Sequence, residues 1–247
     1  MVYDSILGKR KKKLHEEIGN AIEQLYKDNL SEHYEVLSEH YFLSDNYLKS
    51  AEYSTFASKK AEKAASLNDA IIYSKKRVTS LERLPQTDDI QKQIVDGRTV
   101  LGLYLTQLTS PIEAKEAIDP IVNLAIRNGY KKRLCQIYTI LGSYHLFVED
   151  NFLGAFTDFE GALKISEEIR DSTTSFFANY WFGIALGWNC KFERSANYLQ
   201  RALDINFAVK NLWGIAFAKS TLFHWQSLTF SIILDCRLMD EILPNET

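Results

Sequence analysis

Residues 138–162 read YTILGSYHLFVEDNFLGAFTDFEGA. Leu141-Gly142 sits among bulky residues, a polar joint follows at Glu149-Asp150-Asn151, and Ala155, Phe159 and Ala162 then recur at steps of four and three. Such steps keep side chains on one face of a helix. The stretch therefore reads as a helix, a short turn and a second helix. Gly142 and Ala155 are small where the two helices cross, and Tyr138, Leu141 and Phe159 fill the space beside them. A larger residue at either small position would force the axes beyond the usual ~8–10 Å.

The same pattern recurs on both sides. Leu101-Gly102 is followed by Ala114, Ile118 and Ile121, and Phe182-Gly183 by Ser195, Leu199 and Ala202, so equivalent positions return every 40 or 41 residues. Further joints fall at Thr109-Ser110-Pro111 and Asn189-Cys190-Lys191. An earlier copy reads Tyr34, Leu37, Ser38, Tyr41, then Ser50 and Ala57, and the strings Ser50-Ala51-Glu52-Tyr53 and Ser195-Ala196-Asn197-Tyr198 hold the same place in their repeats. Between 58 and 84 the register fails; the pattern predicts one long helix from about Tyr47 to Ser66 and another from Asp69 to Leu84, ended by Pro85. Pro120 falls inside a predicted helix without an evident reason. Before the repeats, Ile6, Leu14, Ile18, Ile22 and Leu25 form a stripe that predicts a capping helix within Tyr3 to Tyr26. After them, Trp213, Phe217, Leu222 and Trp225 suggest another first helix and Phe230 to Leu243 its second, with an apolar end that predicts self-association or a missing continuation. The expected organisation is a cap over 1–30, a repeat array over 31–230 and a C-terminal helix or tail over 231–247. The fold class is an all-α solenoid of about eleven helices with a period of about 40.

Composition agrees. The 247 residues include 4 prolines and 11 glycines, too few for a disordered or turn-rich chain. A net charge of −3 gives no global attraction to nucleic acid or an anionic membrane. Cys135, Cys190 and Cys236 are widely spaced and odd in number, which fits a reducing cytosol better than a disulfide framework. No secretory signal follows the N-terminal basic run, so a cytoplasmic protein is expected. Ser172 to Cys190 and Ser220 to Leu234 lack charge, but their polar residues leave apolar cores too short for a membrane span.

The recurring aromatic, Leu-Gly, aromatic, then Ala, aromatic, Ala resembles the tetratricopeptide repeat over about residues 31–230. The period exceeds the family's 34, which implies longer helices, and Phe207 stands where a closing proline is usual. The resemblance implies a right-handed solenoid that binds a protein or peptide along a concave face made by the first helices. The positions it assigns to that face are Glu32, Glu35, Glu39 and Phe42; Asp96, Thr99, Leu103 and Thr106; Gln136, Thr139, Ser143 and Leu146; and Phe177, Tyr180, Ile184 and Gly187. This row runs from acidic through neutral to aromatic. It lacks the Lys, Arg and Asn of the family's carboxylate clamp and implies a ligand with basic residues at one end and an apolar anchor at the other. Lys9 to Lys13 could also lie across the three glutamates as an internal ligand. The segments YDSILGKRKKKLHEEIGNAIEQLY, HYFLSDNYLKSAEY and AIDPIVNLAIRNGYKKRLCQIYTILGSYHLF further resemble the C-terminal repeat region of bacterial signalling proteins in which a class III adenylate/guanylate cyclase precedes an AAA/STAND-type ATPase. On that resemblance the chain is the repeat module alone, with catalysis elsewhere.

Few residues suggest chemistry. His33 and His40 lie seven apart, about 10.5 Å along a helix, too far for one metal without an intervening ligand. Glu16-Glu17, Asp88-Asp89 and Glu167-Glu168 are adjacent and point apart; Asp88-Asp89 suits a helix N-terminus. Gly8-Lys9 lacks the rest of a phosphate-binding loop, and no G-x-S-x-G occurs. Phe176, Phe177, Tyr180, Trp181, Phe182 and Trp188 form the strongest local signal, and helical angles do not let all six face inward. The expected function is a non-catalytic protein-interaction or regulatory module without cofactor or metal. Alternatives are an effector-sensing repeat domain and, more weakly, nucleic-acid binding through Lys9–Lys13.

Overall fold

The computed structural model describes residues 8–242, with the side chains of Trp213 and 229–242 outside the description. Among the described residues there are twelve α-helices and no strand. The chain divides at Arg127/Asn128 into two compact units. The first holds α1 (Gly8–Leu25), a 3-10 turn (Leu30–Glu32), α2 (Tyr34–Leu43), α3 (Tyr47–Lys63), α4 (Leu67–Glu82), α5 (Asp88–Gln107), α6 (Pro111–Ile118), a second 3-10 turn (Asp119–Ile121) and α7 (Val122–Arg127). The second holds α8 (Lys131–Phe147), α9 (Phe152–Ile169), α10 (Ser172–Trp188), α11 (Phe192–Ala208) and α12 (Leu212–Ile242). Within each unit the consecutive long helices pack on one another, the arrangement of an all-α solenoid-like repeat fold.

The joints explain both the period and the scarcity of glycine and proline. Left-handed backbone occurs at Asp45 and Ala65, and again at Thr109, Gly129, Asp150, Arg170, Cys190 and Lys210, each twenty or twenty-one residues from the last within its run. The next residue caps the following helix. Asn151 accepts from the Gly154 N–H at 2.9 Å, and Asp171 from the Thr174 N–H at 2.9 Å. The end of the preceding helix is closed by paired bonds: Lys191 N–H donates to the Leu186 carbonyl at 2.8 Å and Cys190 N–H to that of Gly187 at 3.0 Å. Ala65/Ser66, Thr109/Ser110 and Lys210/Asn211 repeat this pairing. Two to four residues thus do the work of a loop, so one helix and joint take about twenty residues and a hairpin about forty. The α4–α5 connection is the longer exception. It passes through Pro85, and Thr87 caps α5 by accepting from the Ile90 N–H, with Asp88 and Asp89 in the first turn as their charge requires.

Small residues mark the crossings. A Cβ on Gly142 would come within 2.8 Å of the Phe159 ring, and one on Gly183 within 2.8 Å of Leu199. Gly102, Ala114, Ala155, Ala162 and Ala202 are buried. Ser195 donates to the Gly183 carbonyl at 2.7 Å, and Ser50 donates to the Ser38 carbonyl at 3.2 Å, the same offset of twelve residues. The first unit extends this into a buried hydroxyl network. Ser38 bonds Ser54 at 2.7 Å, Ser80 donates to Ser50 at 3.0 Å, and Ser58 bonds Ser74 at 2.8 Å. Serine therefore serves as a small residue that also ties the helices together.

Several sequence expectations are corrected. The α1 stripe is not its buried face: Leu25 is 77% and Leu14 38% exposed, while His15 and Gly19 are buried. Gly19 lies directly against the Tyr41 ring, and polar residues flank it, so the docking face was invisible to an apolar count. Pro120 does not sit inside an α-helix. Lacking an N–H, it breaks the α6–α7 arm at the 3-10 turn Asp119–Ile121, and counting that arm once leaves eleven helical arms. The basic run does not lie across the glutamates. Lys12 pairs with Asp45, whereas Glu35 and Glu39 pair with Lys60 and Lys76. The uncharged stretch from Ser172 is the central helix α10, buried on all sides at twelve of its seventeen residues. Among the described residues no helix is long and apolar enough to cross a membrane. Ile6, and the side chains at Trp213, Cys236 and 230–243 on which the C-terminal interface rests, lie outside the described residues.

Candidate interaction surface

The assigned groove residues divide into exposed and buried sets. In the first unit Glu32 is exposed on the 3-10 turn, Glu35 lies 3.0 Å from Lys60 of α3, and Glu39 pairs with Lys76 of α4. The guanidinium of Arg83 stands 5.0 Å from the Phe42 ring centre. The acidic end is thus met by cations of the same unit, and exposed pairs of this kind contribute only about 0–1 kcal/mol each. Thr99 and Thr106 are buried and donate to the carbonyls of Val95 and Gly102, four residues back, at 2.7 and 2.9 Å.

In the second unit Gln136, Thr139 and Ser143 are buried. Thr139 donates to the Cys135 carbonyl at 3.0 Å, and Gln136 accepts from Arg133 at 2.8 Å. Tyr180 and Ile184 are buried as well. The Tyr180 hydroxyl meets that of Thr221 at 2.9 Å, and burial pushes its pKa up to about 12. Trp225 covers Gly187 so closely that a Cβ has no room there. Phe177 is half-buried, 5.0 Å from the Phe176 ring. Of the assigned positions in this unit, only Phe177 keeps appreciable surface.

A different feature is exposed. Trp188 is 57% and Phe147 46% exposed; their rings stand edge to face at 6.3 Å, with exposed Val148 beside them. They rest on a buried aromatic bed. Phe147 lies 6.1 Å from Trp181, Trp188 lies 6.0 Å from Trp225, and Phe192 lies 6.1 Å from Trp225. Glu149 and Asp150 border the patch and are exposed. On the side of α8 that faces α9, His145 and Asp158 form a pair at 2.8 Å, with Glu149 at 3.6 Å from the other ring nitrogen. Burial raises the Asp158 carboxyl above its ordinary range, against the pull of His145. The sequence flagged Trp188 but not Phe147. The missed signal is register: each stands five residues after the small crossing residue, Gly142 or Gly183, and each ends the first helix of its hairpin.

The rest of the surface shows little chemistry. The buried Cys135 thiol donates to the Ala162 carbonyl at 3.2 Å, and burial pushes its pKa up to about 12, so it is no thiolate nucleophile. Among the described residues no group of three His, Cys, Asp or Glu side chains could hold a metal ion. No protein-family model matches the chain, and no curated protein is similar to it.

Proposed function

We propose that the chain is a non-catalytic protein-interaction module that grips a protein segment by an apolar anchor at Phe147 and Trp188. The observation that carries this is the exposed aromatic pair itself. Aromatic side chains held rigid by a packed base are typical binding hot spots, and contiguous exposed apolar patches mark interaction sites more often than scattered ones do. The bordering Glu149 and Asp150 favour basic residues beside that anchor. The resemblance to the repeat arm of cyclase–ATPase signalling proteins supports a sensing or scaffolding role, with catalysis supplied by another domain.

A displayed library of random peptides, selected on the intact chain, tests the reading. Selected peptides are expected to combine an aromatic or large aliphatic residue with nearby Lys or Arg. Trp188→Ala and Phe147→Ala are each expected to weaken them by at least tenfold, because a hot-spot truncation costs about 2 kcal/mol or more. Peptides that bind both variants as tightly as the parent chain would sink the assignment.

A further inference from the structure

Helix α1 is attached unlike the other long helices. Its buried residues are His15 and Gly19 alone, whereas α3 buries seven. Ile18 and Ile22 add partial apolar contact. The remaining ties are polar: Lys12 to Asp45, Asn46 to Glu16 at 3.3 Å, Tyr41 to Asn20 at 3.1 Å, Lys49 to Glu23 at 2.7 Å, and Tyr53 to Glu23 at 2.6 Å. At the centre of this face the Nδ1 atoms of His15 and His40 meet at 2.9 Å, with ring centres 5.1 Å apart. One imidazole must present a lone pair for that contact to be a hydrogen bond; the other donates. Among the described residues no third ligand joins the pair to make a metal centre.

We propose that the His15–His40 pair is an acid-sensitive latch that holds α1 on α2 and α3, and that protonation of both rings releases α1. Two imidazolium N–H groups at this separation have no acceptor between them and repel. A single proton leaves the bond intact, because a charged ring still donates to a neutral one. Burial, and then the neighbouring His15, keep the His40 imidazole below the ordinary histidine range, while Glu39 acts in the opposite sense. The other charged groups on this face are engaged. Glu39 is paired with Lys76 of α4, Asp45 with Lys12, and Glu23 with Lys49 of α3, while Glu16 bonds the Asn46 amide. A lowered pKa in the docked state means that undocked α1 binds more protons. Docking is therefore fully favoured above the free-histidine value of 6.5 and weakens as pH falls from there toward the depressed value. Release bares the Tyr41 ring, now wholly covered, and the adjoining stacked Tyr53.

Hydrogen–deuterium exchange of the full chain between pH 7.5 and 5.0, expressed as protection factors, tests the latch. Protection over α1 is expected to fall by up to tenfold per pH unit below about 6.5, while α3 and α4 keep theirs. In His40→Gln and His15→Gln the fall in α1 is expected to disappear. Protection of α1 that ignores pH, or that falls only together with α3 and α4, overturns the proposal. So does a glutamine variant with the parent's full pH dependence. If both variants leave α1 unprotected at neutral pH, the pair is shown to hold the helix, and the parent profile alone decides whether acid opens it.

Discussion

Two glycine-to-alanine changes on one helix hairpin are expected to have opposite signs. Alanine in a helix interior is favoured over glycine by about 0.5–1 kcal/mol, since glycine loses more backbone freedom on folding. At Gly161 in α9 the nearest foreign atom to a new Cβ is Tyr138 at 3.6 Å, an ordinary contact, so Gly161→Ala should realise that gain. At Gly142 in α8 the Cβ would stand 2.8–2.9 Å from three atoms of the Phe159 ring. Phe159 is fully buried beneath Phe182, 6.3 Å away, so its ring cannot swing into solvent and the helices must part. Overpacking of this kind costs about 1–3 kcal/mol, leaving Gly142→Ala about 1 kcal/mol less stable than the parent at the middle of both ranges. The two variants should then differ by roughly 2 kcal/mol, or about 1 M in urea midpoint for an m-value near 2 kcal/mol/M. All four tryptophans lie after residue 128, so their fluorescence reports the unit in question. Gly142→Ala unfolding at or above the midpoint of Gly161→Ala would refute the close-approach argument for the repeat.

Ala65→Gly relieves a left-handed alanine at the α3–α4 joint and should stabilise the first unit by about 0.5–1 kcal/mol; thermal melting followed by tyrosine absorbance checks it. Ser50→Ala removes a hydroxyl that donates to Ser38 and accepts from Ser80, leaving both partners buried and short of a bond, a loss of about 1–3 kcal/mol in urea unfolding. At Asp171 burial acts against the charged form, but bonds from Lys132 and Thr174 outweigh it and hold the pKa at about 2, below its usual 3.8. The depressed value means that this stabilisation is complete above pH 3.8 and is lost as pH falls toward 2. Asp171→Asn keeps a capping side chain, so its melting temperature should fall less than the parent's between pH 4 and 2; identical profiles would count against the pairing.

The hairpins were legible because their signals are local. Small residues at crossings and polar joints recur at fixed steps, and the long α3 ends at Lys63, close to the expected Ser66. The positive-φ joints have no sequence signature, because Asp45, Ala65, Thr109, Asp150, Arg170, Cys190 and Lys210 span six residue types. Backbone geometry, not side-chain identity, is conserved from joint to joint within this chain. The docking face of α1 escaped for a different reason. A stripe count scores leucine and isoleucine, whereas this face is built from a glycine under a tyrosine, two histidines and a set of ion pairs.

The candidate surface follows from the same economy of joints. When two to four residues connect helices of seventeen or eighteen, as among α8 to α11, the helices pack along their whole length and their middles are covered. That is why Thr139, Ser143, Tyr180 and Ile184, all mid-helix, are buried. The ends are different. A side chain on the last turn projects past its neighbour at the joint and stays exposed there. Leu43, Phe147 and Trp188 share this register and are all exposed, and in the second unit both occupants are aromatic. Each leaves a large part of its ring uncovered, and in the proposed function that surface is what a bound segment covers.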